Sequence, residues 1–185
     1  MSDFSSALEE LNARKNSQDN KDVSAIFDEL EILTVKSEGW PSGFFEELVK
    51  LLGDELYLKL KGSWTLLYFI NGNWEELSAT QRQELRDPLT SAFDKYENWM
   101  GAFVTSEILG ERYADEGALS ALVKFGNCAH LPARALVPHG LETLAKTTPD
   151  QSLRKLAIDQ LRELEKSQSQ EVRQEAQISL KKLGL

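Results

Sequence analysis

Cysteine and histidine are scarce in this sequence, which has one Cys and two His among 185 residues. The single thiol, Cys128, cannot form an internal disulfide, so the sequence favours a reducing compartment. No apolar run approaches the roughly 20 residues of a membrane-spanning helix. The first residues, MSDFSSALEELNARKN, also lack the basic and apolar regions of a secretory signal. We therefore expect a cytoplasmic protein with no membrane partner.

Motifs for catalysis and for cofactor binding are missing as well. Cys128, His130 and His139 follow the spacing C-x-H-x8-H, which offers three candidate ligands where a structural zinc site usually has four. A cysteine two residues from a histidine rarely has the geometry of a nucleophile and its base. The glycines are scattered and form no phosphate-binding loop. The sequence thus predicts no enzyme, no metal ion and no cofactor.

Acidic residues outnumber basic residues by 30 to 21, and the excess is unevenly distributed. Residues 1–61 contain 13 acidic and 7 basic side chains, and residues 62–130 contain 10 and 5. Residues 131–185 contain 7 and 9. The acidic first two thirds would repel a phosphate backbone, which argues against a nucleic-acid partner, and would attract a basic protein. Solubility alone is the alternative explanation of this acidity.

A helical template recurs three times near the C-terminus. The copies begin at Ala133, Leu153 and Val172, at offsets of 20 and then 19 residues. Each copy places apolar residues at positions i, i+4, i+8 and i+11, on one stripe of an α-helix, and an arginine follows the first of them. In the last two copies Ala157 and Ala176 lie near the middle, where a methyl group allows neighbouring helices to approach closely. The spacing corresponds to one helix pair about every 40 residues.

Short polar segments separate the three copies. Thr147–Asp150 includes Pro149 at an expected turn, and Ser167–Gln170 supplies residues that favour helix caps. Gly184 follows the last apolar residue and is expected to end the last helix.

Upstream, amphipathic patterns predict helices that follow no common template. The predicted helices contain Phe4–Leu11, Val23–Leu33, Phe44–Leu52, a segment that begins at Ser78, a segment from Tyr96 through Trp99, Met100 and Phe103 that stops near Gly110, and Ala118–Phe125. Residues 16–20 form a polar link, and residues 39–43 form a break in which Ser42 is a candidate cap. Ser78 and Gln81 resemble a capping box. Asp87-Pro88 either kinks its helix or begins a new one.

Residues 54–72 fit two structures. Leu56–Lys61 partly alternates apolar and polar residues, and Lys61-Gly62 is a plausible hairpin turn. We favour helix, because the surrounding segments are helical and an isolated two-stranded hairpin is only marginally stable.

Residues 153–184 resemble consecutive helices of HEAT repeats, and the cadence VRxxAxxxLxxLG at residues 172–184 is the specific part. Residues 106–125 are also similar to a HEAT helix pair. The resemblance covers residues 95–185, whereas residues 1–94 share only helical content. It implies an all-α fold in a single helical domain of residues 1–185, a HEAT-like α-solenoid of antiparallel helix pairs with an atypical N-terminal cap.

The resemblance also implies a function. HEAT-like arrays mainly serve as scaffolds and binding surfaces, and the fold is similar to several small bacterial immunity proteins that neutralise toxins. We therefore expect a protein-binding protein, foremost an immunity protein that occludes the active site of a basic toxin. The alternative is an intracellular adaptor or assembly factor. HEAT-like DNA glycosylases and bilin lyases are a third class, which the acidity and the missing catalytic residues disfavour.

Candidate partner-binding residues come from aromatic and acidic side chains in the acidic two thirds. Most tryptophans are core residues, but Trp74 follows a predicted turn, residues 71–73, and precedes two acids, as an interface anchor would. Adjacent acids ordinarily belong to solvated helix faces, and an acidic patch for a basic partner is the functional alternative. The candidates are Tyr68, Trp74, Glu75, Glu76, Asp115 and Glu116, with Tyr96 and Tyr113 as further aromatic candidates.

Overall fold

The computed structural model of the chain describes residues 4–16, 23–36 and 43–185. All regular secondary structure in these ranges is helical, and they contain no β-strand, so the predicted all-α class is confirmed. The expected cap Ser42, together with Trp40 and most of the two N-terminal linkers, lies outside the described residues. No helix in the described ranges is long and apolar enough to cross a membrane.

The chain divides into two compact units, Met1–Gly101 and Ala102–Leu185, which we call the first and the second unit. The helices of the first unit are α1 (Phe4–Asn16), α2 (Ser24–Lys36), α3 (Phe44–Leu52), α4 (Glu55–Leu58), α5 (Trp64–Gly72) and α6 (Ala79–Ala92), with a 3-10 turn at Trp74–Glu76. Helix α7 (Trp99–Ile108) contains the boundary. The second unit continues with a π-helical turn at Leu109–Tyr113, α8 (Glu116–Phe125), α9 (Leu131–Thr147), α10 (Gln151–Leu164) and α11 (Gln170–Lys182).

Residues 54–72 of the first unit are helical, as favoured from the sequence. Asp54 caps α4 by accepting hydrogen bonds from the backbone N–H groups of Leu56 at 2.9 Å and Tyr57 at 3.3 Å. Between α4 and α5 the chain turns at Gly62, whose φ of +89° suits glycine. The carbonyl oxygen of Lys61 accepts a hydrogen bond from the backbone N–H of Val23 at 2.9 Å. The turn therefore connects two helices, α4 and α5, and is not the turn of a β-hairpin.

Two buried tyrosines lie in the core of the first unit. The hydroxyl of Tyr57 donates to the carbonyl of Ser63 at 2.7 Å, and the ring of Phe27 meets Tyr57 edge to face at 6.0 Å. The hydroxyl of Tyr96 is buried and has no hydrogen-bond partner among the described residues. Burial raises the pKa of both hydroxyls, so both stay protonated. A Cβ at Gly101 would lie 2.2 Å from the Tyr96 ring, which explains the glycine there.

The predicted capping box of α6 is confirmed, since Gln81 N–H donates to the Ser78 hydroxyl at 3.2 Å and the Ser78 N–H to the Gln81 side chain at 3.0 Å. Pro88 lies inside α6, so no new helix begins at Asp87. The helix predicted from Tyr96 to a stop near Gly110 is wrong at its start, and the α-helix ends at Ile108, close to the predicted stop. Tyr96 precedes α7, and the chain passes through Gly110 in a π-helical turn that ends at Tyr113.

Helix α9 is central to the second unit, because it packs against α8, α10, α11 and the π-helical turn. The three template copies lie on α9, α10 and α11, and the first three apolar positions of every copy are buried. The fourth position is buried at Leu144 and half-buried in the other two copies. The predicted stop at Gly184 is confirmed, since the glycine has a φ of +78° and the N–H of Leu185 donates to Leu180 at 3.1 Å.

Two glycines allow α9 to lie close to its neighbours, Gly110 at the π-helical turn and Gly140 at α7 and α8. A Cβ at Gly110 would lie 2.2 Å from the carbonyl oxygen of Gly140 and 3.0 Å from the nitrogen of Leu144. A Cβ at Gly140 would lie 2.6 Å from the Leu122 side chain and 2.9 Å from the Ser106 carbonyl oxygen. Neither position has room for a methyl group, so both glycines are required for close packing rather than for a turn.

We expect Gly110→Ala to lower the free energy of unfolding by about 1–3 kcal/mol, because the new methyl group would meet backbone atoms that cannot rotate away. Gly72→Ala is the matched control, since a Cβ there has nothing within 4 Å, and we expect a change of less than about 1 kcal/mol. Urea unfolding followed by far-ultraviolet circular dichroism measures both. Equal effects of the two substitutions would contradict the close contact.

The two buried tyrosines provide a second matched pair. Tyr57→Phe removes the hydrogen bond from the Tyr57 hydroxyl to the Ser63 carbonyl, and we expect it to lower the free energy of unfolding by about 1 kcal/mol. Tyr96→Phe removes a buried hydroxyl that has no partner among the described residues, so we expect no loss of stability or a gain of up to about 1 kcal/mol. Thermal and urea unfolding of both variants test this, and a larger loss for Tyr96→Phe would show that its hydroxyl is bonded.

Candidate functional site

The net charge of the protein belongs entirely to its first unit. Residues 1–101 contain 19 acidic and 10 basic side chains, whereas residues 102–185 contain 11 of each. The first unit therefore carries the formal charge of −9, and the second unit is neutral overall. An electrostatic surface for a basic partner is accordingly a property of the first unit.

Glu75 and Glu76 are exposed in the 3-10 turn between α5 and α6. The Glu75 side chain is 81% exposed and forms an ion pair with Arg82 at 3.0 Å. Such an exposed pair contributes little to stability, so Glu75 can exchange Arg82 for another cation at small cost. Both acids are placed where a partner can reach them.

Trp74, the expected anchor beside these acids, is buried with 4% of its surface exposed. Its ring lies in the core of the first unit, with the guanidinium of Arg82 5.8 Å from the ring centroid. The exposure of Trp74 is expected from a turn at residues 71–73. Helix α5 instead continues to Gly72, and the 3-10 turn that follows places the indole in the interior. Trp74 is therefore a structural residue in this conformation, and its ring is not an exposed anchor.

An exposed aromatic surface lies on α5. Tyr68 is 62% exposed, and half-buried Trp64, four residues earlier, meets it edge to face at a centroid distance of 6.1 Å. We call Trp64 and Tyr68 the α5 aromatic pair. Sequence reasoning named Tyr68 but missed Trp64, because nearly every residue of α5 is apolar and the pattern marks no outer face. The i, i+4 spacing of the two rings was the available signal.

Three of the remaining candidates lie in or near α8 of the second unit, and the fourth lies in the core of the first unit. Asp115 caps α8 by accepting the N–H of Ala118 at 2.9 Å, and Glu116 is exposed in its first turn. Tyr113 is half-buried in the π-helical turn. Tyr96 is fully buried in the first unit, so it is not a surface aromatic. Tyr68, Glu75 and Glu76 are thus the predicted residues that are exposed in the first unit.

The three residues with a possible metal-ligand spacing, Cys128, His130 and His139, contact nearby residues of the chain instead. The Cys128 thiol donates to the carbonyl of His130 at 3.4 Å, and His130 Nδ1 accepts the N–H of Ala133 at 3.4 Å at the start of α9. The His139 ring is stacked on Phe103 at 4.3 Å. The described part of the chain contains no group of three or more His, Cys, Asp or Glu side chains that could hold a metal ion.

A buried carboxylate joins α9 to α11 in the second unit. The Glu142 side chain is 5% exposed and forms ion pairs with Lys146 at 2.5 Å and with Lys182 at 3.5 Å. Burial raises the pKa of Glu142, but hydrogen bonds from Lys146 and Ser179 and attraction to both lysines outweigh it, so the pKa lies below its ordinary value. The carboxylate is therefore ionised at neutral pH and is part of the structure of this unit.

His139 lies one turn before Glu142 on α9. Burial lowers its pKa, and the attraction of Glu142 only partly offsets this effect. Its Nε2 atom is buried without a hydrogen-bond partner among the described residues. A neutral imidazole stacked on Phe103 fits this environment, in agreement with a packing role.

No family model matches the chain, and comparisons with curated proteins and with solved structures likewise find no match.

We expect Glu142→Gln to lower the free energy of unfolding at pH 7 by about 1–3 kcal/mol, because two lysines lose their shared counter-charge. Since folding lowers the pKa of Glu142, its contribution is complete above the ordinary value of 4.5 and is lost as the pH falls below it. The difference between wild type and variant should therefore shrink towards pH 3 in urea unfolding measurements.

Glu163→Gln is the control for this prediction. Glu163 also pairs with a lysine, Lys166, at 2.7 Å, but its side chain is 66% exposed. We expect a change of less than about 1 kcal/mol, because exposed ion pairs are screened by water. If both substitutions cost the same, burial of the Glu142 carboxylate is not what stabilises the second unit.

Proposed function

We propose that this chain is a non-enzymatic inhibitor of the immunity type, which binds a basic toxin domain through its first unit and occludes the toxin's active site. The observation that carries the proposal is the exposed ring of Tyr68, packed against half-buried Trp64, within the unit that holds the whole net charge of −9. In this proposal the aromatic rings provide affinity, and the surrounding acids select a basic partner.

The physical support comes from the two parts of this surface. Tyrosine and tryptophan dominate binding energy at interfaces, because they bury a large area with few rotatable bonds. Tyr68 is exposed and already oriented by its contact with Trp64, so little side-chain freedom is lost on binding. The acidic field accelerates the approach of a basic partner and disfavours nucleic acid.

The proposal extends to the architecture of the second unit. We propose that α8 to α11 form HEAT-like antiparallel pairs, which a solenoid would stack side by side. The support is the buried template stripe shared by α9, α10 and α11 and the packing of α9 on its neighbours. The further support from the sequence is the VRxxAxxxLxxLG cadence at residues 172–184.

The experiment that tests the function is capture of the tagged protein from its own cells, grown beside a related competitor, with bound species identified by mass. The captured protein is then expressed, and its enzymatic activity is measured with increasing amounts of the chain. A basic protein that forms a one-to-one complex and loses activity on binding supports inhibition. A complex with a host protein whose activity is unchanged would favour the adaptor alternative.

The binding surface is tested on the captured complex. We expect Tyr68→Ala to weaken it about tenfold or more, as loss of a central aromatic does, and Glu75→Lys with Glu76→Lys to weaken it more strongly at low salt than at high salt. Isothermal titration calorimetry at two salt concentrations measures both effects.

The control for Glu75→Lys with Glu76→Lys is the double substitution Glu163→Lys with Glu165→Lys, which makes the same change of charge in the second unit. It should leave the affinity within about twofold of wild type, because a rim or remote charge acts mainly through the long-range field. An unchanged affinity of the Tyr68→Ala complex would remove the α5 aromatic pair from the interface.

A further inference from the structure

The outer face of α10 carries exposed cationic side chains. Arg154, Lys155 and Arg162 are exposed along it, and Asp159 is the acidic residue among them. Asp159 pairs with Arg162 at 3.4 Å, whereas the side chains of Arg154 and Lys155 have no hydrogen-bond or ion-pair partner in the described part of the chain. This face therefore carries a net positive charge within a unit that is neutral overall.

Arg154 occupies the same position in its template copy as Arg134 and Arg173 do in theirs, but its side chain makes different contacts. Arg134 donates to the carbonyl oxygen of Cys128 at 3.0 Å, six residues earlier, and fixes the loop before α9. Arg173 donates to the carbonyl oxygen of Ser167 at 2.6 Å, again six residues earlier, and fixes the loop before α11. No such bond is made by Arg154 to the described residues, and its side chain lines a surface groove instead.

This groove has apolar as well as basic walls. It has a volume of about 260 Å³, and its lining includes Ile158, which is half-buried, and Leu185, which is 58% exposed. Arg154, Ile158 and Arg162 are each four residues apart, so they follow one line along α10. The two arginines are about 12 Å apart along the helix axis, with the apolar residue between them.

We propose that this groove binds an acidic amphipathic helix of a partner protein, with two carboxylates on the arginines and an apolar side chain on Ile158. Charge complementarity selects the occupant. The side chain of Arg154 has no ion-pair partner among the described residues, and Arg162 has only an exposed pair with Asp159, which a carboxylate of the partner can replace. A facing helix presents Glu, Leu and Glu at the same four-residue spacing. The apolar floor and the few cations favour a peptide over a phosphate backbone, which the overall charge of −9 also repels.

The groove is a second binding surface, independent of the proposed inhibitory surface in the first unit. The α11 face offers an internal contrast, since its groove is lined by Gln174, Glu175, Gln177, Ile178 and Lys181. That groove has one acid and one base and no charge preference. Selective binding of an acidic helix is thus expected on α10 and not on α11.

The test is a titration of the full chain into a fluorescein-labelled helical peptide that carries Glu, Leu and Glu at positions i, i+4 and i+8, read by fluorescence anisotropy. A peptide of identical composition with these three residues scrambled is the ligand control. We expect micromolar binding of the first peptide and at least about tenfold weaker binding of the scrambled one. Equal binding of both peptides would overturn the proposal.

Variants locate the site. Arg154→Ser with Lys155→Ser should weaken binding of the designed peptide about tenfold, and Ile158→Ala should weaken it less. Lys166→Ser is the control, because Lys166 is exposed at the end of α10 but outside the groove lining, and it should change affinity by less than about twofold. Circular dichroism confirms that the exposed substitutions leave the fold intact. Equal effects of all variants would contradict the assigned site.

Three other results would also overturn the proposal. Binding of phosphatidylserine vesicles without binding of the peptide would identify an anionic lipid surface as the occupant. Binding of a duplex DNA oligonucleotide that the Arg154 and Lys155 substitutions abolish would identify a phosphate backbone. Concentration-dependent dimerisation, measured by light scattering and lost in the same variant, would identify a second copy of this acidic chain.

Discussion

The contact between Gly110 and Gly140 is the constraint on which the packing of the second unit depends. Here the backbone of the π-helical turn lies against the backbone of α9, at a separation that leaves no space for a Cβ on Gly110. A Cβ on Gly140 would instead meet Leu122 of α8 and Ser106 of α7. Helix α9 is at the same time covered by α8, α10 and α11. Because α9 is in contact on so many sides, a shift of one neighbour must be absorbed by the others, and the small residues of the template, Ala157 and Ala176, serve the same close packing.

A second constraint in this unit is electrostatic. Glu142 holds a negative charge in the interior, where it is stable only because Lys146, Lys182 and Ser179 surround it. Lys182 and Ser179 belong to α11, so this carboxylate connects the central helix to the last one. The connection is strong at neutral pH and weak in acid, which makes the stability of the second unit more dependent on pH than its zero net charge suggests.

The two units divide the charge of the protein between them in a way that bears on binding. The first unit carries all of the net negative charge and an exposed aromatic pair, features that suit a basic protein partner. The second unit carries a locally basic groove on α10 that suits an acidic helix. In the two proposals the partners therefore have opposite charge, and each contacts residues of a different unit. An inhibitor needs only the first surface, whereas an adaptor would use both.

The helical class, the three-copy template, the capping box at Ser78 and the stop at Gly184 could be predicted from the sequence, because each depends on residues that are close in the chain and on the period of the helix. Only the tertiary structure decided which side chains are exposed. Trp74 is buried and Tyr68 is exposed, although the sequence predicts both as surface residues. Most residues of α5 are apolar, so its pattern marks no outer face, and its orientation depends on packing against α2 and the core around it. The roles of Gly110 and Glu142 likewise depend on residues about 30 to 40 positions away along the chain, and local periodicity does not encode such contacts.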